Sequence, residues 1–189
     1  RIAAHLPGVR LVCLIREPLA RLRSRYRHRL ATGRERRDPD AAIDAGPAYV
    51  ETGRYGAELA RWHAVFPAEQ ILVLRSEHLF TAPERELGRL ADHLGVAARP
   101  DIVFGDENRS DERAALPLPL RRIIGATGLW GVGKRIGTAA RRIGTLERAG
   151  DVPVRLAPDR VARLHDIFEA DRALLRRFVP DHLCDWTPT

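Results

Sequence analysis

The sequence predicts an α/β protein, a parallel sheet flanked by helices, forming a single domain over residues 1–189. Two apolar runs carry that reading. Val9-Arg10-Leu11-Val12-Cys13-Leu14-Ile15 and Gln70-Ile71-Leu72-Val73-Leu74-Arg75 have the nearly continuous hydrophobicity of strands buried on both faces. Helical patterns lie between and after them, the order of a βαβ unit, in which a helical crossover returns the chain to a parallel strand. At 189 residues and 44% hydrophobic content, the chain is long enough to bury a real core.

The first strand follows Pro7-Gly8 and ends at Arg16-Glu17-Pro18. Pro18 is placed to open a helix, because a first-turn proline gives up no intrahelical hydrogen bond. Leu19, Leu22, Tyr26 and Leu30 then recur on one side of that helix. Gly33 to Gly53 mixes charge, Asp, Pro and Gly and is expected to be a long loop, with room for a short helix. Tyr55, Leu59, Trp62 and Phe66 sit at helical spacing and stop at Pro67, before the second strand.

Thr81-Ala82-Pro83-Glu84 has the form of a capping box, opening a helix with Leu87, Leu90 and Leu94 on one face and Gly95 at its end. From Arg99 to Pro158 the sequence predicts loops with short helices. A last helix, from about Pro158 to Phe178, carries Val161, Leu164, Phe168, Leu175 and Phe178 on one stripe and is expected to dock on the sheet, with the tail ending through Trp186.

Composition narrows the function classes. No run approaches the eighteen or so apolar residues of a membrane span, and Arg1-Ile2-Ala3-Ala4-His5 is not a signal segment, so a soluble, cytoplasmic protein is expected. With no methionine anywhere, the natural chain is expected to continue upstream of Arg1. Cys13 and Cys184 give neither a disulfide framework nor metal-ligand spacing, and no metal is called for. A net charge of +7 and a pI near 10.5 imply a polyanionic partner. Lys134 is the lone lysine among 32 basic residues, a bias that reflects codon composition more than guanidinium chemistry at every site.

The candidate site lies at the carboxyl end of the first strand, where ligands of open α/β sheets bind. Arg16 stands there. On the helix that follows, Arg21, Ser24 and His28 fall three and four residues apart, so two cations and a hydroxyl share a stripe opposite the leucines. A dianionic phosphate is well held by a guanidinium fork and a hydroxyl donor. An amphipathic helix with a solvated arginine-rich face would show the same pattern.

The run Leu14-Ile15-Arg16-Glu17-Pro18-Leu19-Ala20-Arg21-Leu22-Arg23-Ser24-Arg25-Tyr26 resembles the 3′-phosphate-binding motif of sulfotransferases that use 3′-phosphoadenosine 5′-phosphosulfate (PAPS), with Arg16, Pro18, Arg21, Ser24 and Tyr26 matching in order and spacing. The likeness to bacterial and heparan-type members continues through Gly53-Arg54-Tyr55, Trp62, Phe66 to Leu74, Glu77-His78-Leu79 and the helix to Leu94. It implies a three-layer sheet like that of P-loop nucleotide folds and PAPS as co-substrate. It further implies that Arg16 and Ser24 hold the 3′-phosphate, that Arg21 and Tyr26 support the motif, and that His28 binds the acceptor or assists proton transfer. Tyr55 sits on an aromatic stripe and is read as core.

The loop for the 5′-phosphosulfate and the base that deprotonates the acceptor have no counterpart in Arg1 to Pro7, so the first strand–loop–helix unit is expected upstream and this stretch alone is expected to be inactive. The acceptor, whether glycan, lipid or small molecule, is not specified. Asn108-Arg109-Ser110 and Lys134-Arg135 are candidates for a loop closing over the donor, while Gly128 to Arg135 imitates a phosphate loop whose lysine is followed by Arg135 instead of Ser or Thr. A kinase-like nucleoside-triphosphate enzyme and a basic nucleic-acid-binding module remain as alternatives; the sulfotransferase reading involves no nucleic acid.

Overall fold

The structure is a computed structural model, and it describes residues 2–97, 114–115, 147–148 and 153–186. In chain order its elements are α1 (Ile2–His5), β1 (Leu11–Ile15), α2 (Pro18–Ala31), α3 (Pro39–Ala45), α4 (Ala48–Glu51), α5 (Tyr55–His63) and, after a short 3₁₀ turn, β2 (Ile71–Arg75). There follow α6 (Ser76–Thr81), α7 (Pro83–Leu94), β3 (Ala114–Ala115), β4 (Glu147–Arg148), α8 (Pro158–Leu175) and α9 (Asp181–Cys184). The chain divides into two compact units, Arg1–Ala20 with Thr52–Gly105 and Leu164–Thr189, and Arg21–Glu51 with Asp106–Arg163. No helix among the described residues is long and apolar enough to cross a membrane.

The first unit holds the predicted parallel pair. β1 and β2 run in register from Leu11↔Ile71 to Ile15↔Arg75. Ile15 and Val73 enter a core with Tyr55 and Leu59 of α5, Leu175 of α8, and Leu183, Cys184 and Trp186 of the tail. The C-terminal segment thus docks on the sheet, as its sequence predicts. Burial inside this core pushes the Cys184 thiol up to about 11, which leaves it a protonated, inert packing group.

β1 departs from its predicted two-sided burial. Ile15 is buried and Leu11 and Cys13 are half-buried, while Val12 and Leu14 stay 45% and 47% exposed. The pleat sends alternate side chains to opposite faces, and among the described residues only the Ile15 face is packed. A continuous apolar run looks the same in either case, so the sequence could not distinguish them.

Helix α7 spans the predicted residues and ends with Gly95 in the left-handed conformation at φ 70°. Its predicted capping box does not form. The residue before the helix is Ala82, and the Thr81 hydroxyl donates instead to the Glu77 carbonyl of α6. Thr81 is the last residue of a preceding helix, so its side chain bonds backward and cannot cap forward.

In the second unit, α2 buries Leu22, Tyr26 and Leu30, as its stripe predicts. The expected long loop between Gly33 and Gly53 is instead two short helices with a buried interior of Ala42, Ile43 and Tyr49. Asp38 caps α3 by accepting from the Ala41 amide at 2.9 Å, and Pro39 occupies the first turn. That Asp-Pro start was visible in the sequence; the surrounding charges obscured it. The Asn108–Ser110, Lys134–Arg135 and Gly128–Arg135 readings lie outside the described residues.

Candidate functional site

The turn from β1 into α2 is two residues long, Arg16 and Glu17, and neighbouring side chains fix its backbone. The Arg16 amide donates to the Tyr55 hydroxyl at 3.2 Å, and the Glu17 amide donates to Glu77 Oε1 at 3.2 Å. The Glu17 carboxylate is itself buried and accepts from the Leu19 amide at 2.8 Å and from the Ala20 amide. It therefore caps α2, a role its neighbour Pro18 announces. Two of the first-turn amides are committed to this internal carboxylate, so an anion near α2 is met by side chains further along.

Pro18 and Phe168 pack closely against Gly53. A Cβ on Gly53 would lie 3.0 Å from the Phe168 ring and 3.4 Å from Pro18 Cβ. Burial pushes the Glu77 carboxyl up, but hydrogen bonds from its own and the Glu17 amides and the Arg75 guanidinium outweigh it and hold the group below the usual carboxylate range. Arg75 Nε stands 3.2 Å from Glu77 Oε2, and the Ser76 hydroxyl donates to the same oxygen at 3.2 Å.

Arg21, Ser24 and His28 share the side of α2 that faces away from Leu22, Tyr26 and Leu30. Arg21 and Ser24 are half-buried and His28 is exposed. Arg16 is exposed at the end of β1, in the unit that contains the sheet, while Arg21, Ser24 and His28 belong to the other unit. α2 carries no acidic residue anywhere between Pro18 and Ala31.

Two more of those arginines have a structural seat. Arg25 and Arg29 place their guanidinium carbons 5.9 and 5.7 Å from the Tyr49 ring centre. The Tyr49 hydroxyl donates to buried Glu35 at 2.9 Å, and Glu35 also accepts from the Arg36 and Arg37 amides at 3.0 and 3.2 Å. Among the described residues, no group of three or more His, Cys, Asp or Glu side chains is placed to hold a metal ion.

Reading the sequence alone missed Tyr55 and Glu77 as parts of this turn. Tyr55 is core, as expected, being 6% exposed with its ring 6.4 Å from that of Trp186, yet its hydroxyl reaches the strand end. The signal for Glu77 was available. If the strands pair in parallel with Ile15 beside Arg75, the residues just past each strand must also lie side by side.

A parallel strand pair whose first member runs through the two-residue turn Arg16–Glu17 into an arginine-rich helix defines an α/β protein with a basic strand–turn–helix at the carboxyl end of its sheet. A family model, that of the sulfotransferase family, matches residues 1–101, more than half of the 189, and the chain belongs to that family. Heparan sulfate glucosamine 3-O-sulfotransferase 3B1 of Homo sapiens is 29% identical over 110 residues, covering 51% of this chain and 27% of that protein. The bifunctional heparan sulfate N-deacetylase/N-sulfotransferase 3 of Mus musculus is 27% identical over 115 residues, 51% of this chain and 13% of that protein. A solved sulfotransferase from Alicyclobacillus acidocaldarius shares the fold at a TM-score of 0.58 and 17% identity, covering 93% of this chain and 56% of that one. The chain thus spans 27% of the 3-O-sulfotransferase's length and 56% of the solved structure's.

Proposed function

We propose that this chain carries the 3′-phosphate-binding part of a sulfotransferase that uses PAPS. The observation behind the proposal is the Arg16, Pro18, Arg21, Ser24, Tyr26 series, laid on a strand end, a turn and one continuous helix in a chain of the sulfotransferase family. Arg16 and Ser24 are the proposed phosphate ligands. Arg21 adds charge on the same helix face as Ser24, and Tyr26, buried with its hydroxyl donating to the Arg37 carbonyl at 2.7 Å, fixes the helix from behind.

The residues present suit such a ligand. Guanidinium forks and a hydroxyl donor match a phosphate dianion, and the capped α2 start reserves its amides for Glu17, leaving recognition to these side chains. When bound, the donor supplies the sulfuryl group, whose bond to the 5′-phosphate oxygen breaks as one to the acceptor oxygen or nitrogen forms. Cationic side chains favour this step by stabilising charge on the leaving phosphate. His28, one turn beyond Ser24, is the proposed contact to the acceptor or its proton. A glycan is the proposed acceptor class, supported by relatives named for heparan sulfate.

The test is calorimetric binding of adenosine 3′,5′-bisphosphate, compared with ADP and magnesium, to the full-length protein and to an Arg16→Ala, Ser24→Ala variant. The wild type is expected to prefer the 3′,5′-bisphosphate, and the variant to lose about tenfold to a hundredfold of that affinity, the worth of charge-assisted bonds. Equal binding, or a preference for ADP with magnesium, would overturn the proposal in favour of a kinase-like enzyme.

A further inference from the structure

The two amides of the β1–α2 turn are bonded to side chains from two separate elements. The register ends at Ile15↔Arg75, so the next amides leave the sheet. They donate to the Tyr55 hydroxyl of α5 and to the Glu77 carboxylate of α6, each at 3.2 Å. Both acceptors are held in turn. The Tyr55 ring is buried against Trp186, and Glu77 is gripped by Arg75 and Ser76. The next two amides of α5, Gly56 and Ala57, are tied to Asp171 at 2.7 and 2.9 Å, which fixes the start of the helix that carries Tyr55.

We infer that Tyr55 and Glu77 are positioning residues for Arg16, each clamping one amide of the turn so that the Arg16 side chain leaves the sheet in one direction. The inference rests on the proposed role of Arg16 as a 3′-phosphate ligand. An exposed arginine on a backbone already fixed loses less conformational freedom when it takes a phosphate than one on a mobile turn, and supporting bonds of this kind convert order into affinity. Helix capping alone does not explain the arrangement, because Glu17 already caps α2 through Leu19 and Ala20, and neither Tyr55 nor Glu77 touches those amides.

Tyr55→Phe removes the acceptor and keeps the ring. Glu77→Gln keeps an acceptor for the Glu17 amide, and Glu77→Ala removes it. Affinities for adenosine 3′,5′-bisphosphate and adenosine 5′-phosphate would be measured in the full-length protein, with thermal midpoints, in wild-type and Arg16→Ala backgrounds. Tyr55→Phe and Glu77→Ala are expected to weaken the 3′,5′-bisphosphate by about three- to tenfold, the worth of one hydrogen bond, while adenosine 5′-phosphate stays within about twofold. In the Arg16→Ala background neither should weaken binding further, and Glu77→Gln should retain most of the affinity.

Equal loss for both nucleotides, full additivity with Arg16→Ala, or no loss would overturn the inference and leave the donor site standing. If a Tyr55 variant does not fold, the Glu77 pair reads the same coupling. If the wild type shows no preference for the 3′-phosphate, the donor proposal fails first, and this inference falls with it.

Discussion

Among the described residues, the buried carboxylates that accept from backbone amides differ in reach. Glu17 and Glu35 act locally, each accepting from backbone amides one to three residues further along. Asp171 acts at long range, its two oxygens taking the Gly56 and Ala57 amides across separations of 115 and 114 residues. A local carboxylate shapes a turn that its own sequence already favours. The remote one ties the C-terminal helix to the start of α5, and through Tyr55 to the end of β1, so it holds segments that have no covalent reason to meet.

The greatest damage is expected from disturbing the remote junction. A Cβ on Gly56 would lie 2.4 Å from the Asp171 carbonyl oxygen and 2.7 Å from the Leu175 amide nitrogen, both backbone atoms that cannot swing aside. Gly56→Ala is therefore expected to cost about 3 kcal/mol or more in urea unfolding, the upper range for forced overpacking. A loss under about 1 kcal/mol would mean that α5 and α8 can separate cheaply.

Next come the caps themselves. Asp171→Ala strips two buried or half-buried amides of a charged acceptor and is expected to cost about 2–3 kcal/mol. Glu17→Ala removes the acceptor of one buried and one half-buried amide, but within the first turn of a single helix, and about 1 kcal/mol is expected, as for ordinary N-caps. Equal costs would erase the distinction between local and remote carboxylates. The Tyr55 hydroxyl offers a second readout, because Asp171→Ala should also weaken 3′,5′-bisphosphate binding where Glu35 substitutions do not.

The same contrast explains what the sequence could reveal. The parallel strands, the leucine stripe of α2, and the α7 end at Gly95 follow from local periodicity and punctuation. So do the positions of Arg16 just past the strand and of Arg21, Ser24 and His28 on one helix face, since strand end and helix spacing set them without tertiary information. Asp171 sits among alternating charges in Glu169-Ala170-Asp171-Arg172 and looks like any solvated residue; only its meeting with Gly56 identifies it. Tyr55 likewise gave its ring to the hydrophobic pattern while its hydroxyl served another segment. The capping box at Thr81 misled because the motif is local but the competing acceptor, the Glu77 carbonyl one turn back, belonged to a helix the pattern did not resolve.

The smallest effect should appear in pH dependence, where Glu35 and Tyr49 make a local pair. Burial pushes the Glu35 carboxyl up, but the Arg36 and Arg37 amides, the Tyr49 hydroxyl and the Arg37 charge outweigh it, and the group ends below its ordinary 4.5. The unfolded chain therefore binds the proton more readily than the folded one, so this contribution is present above the ordinary value and is lost as pH falls through the lowered one. Burial and the Glu35 bond push the Tyr49 phenol above its ordinary 10.0, so its contribution is present below that value and is lost as pH rises beyond it. Glu35→Gln should cost about 1 kcal/mol at neutral pH. Its deficit relative to wild type should shrink as unfolding is followed down through the carboxylate range, because the wild-type carboxyl then becomes neutral as well. A deficit that stays constant with acid would show that Glu35 holds its turn by shape and not by charge, and the local carboxylates would then differ from Asp171 in kind as well as in reach.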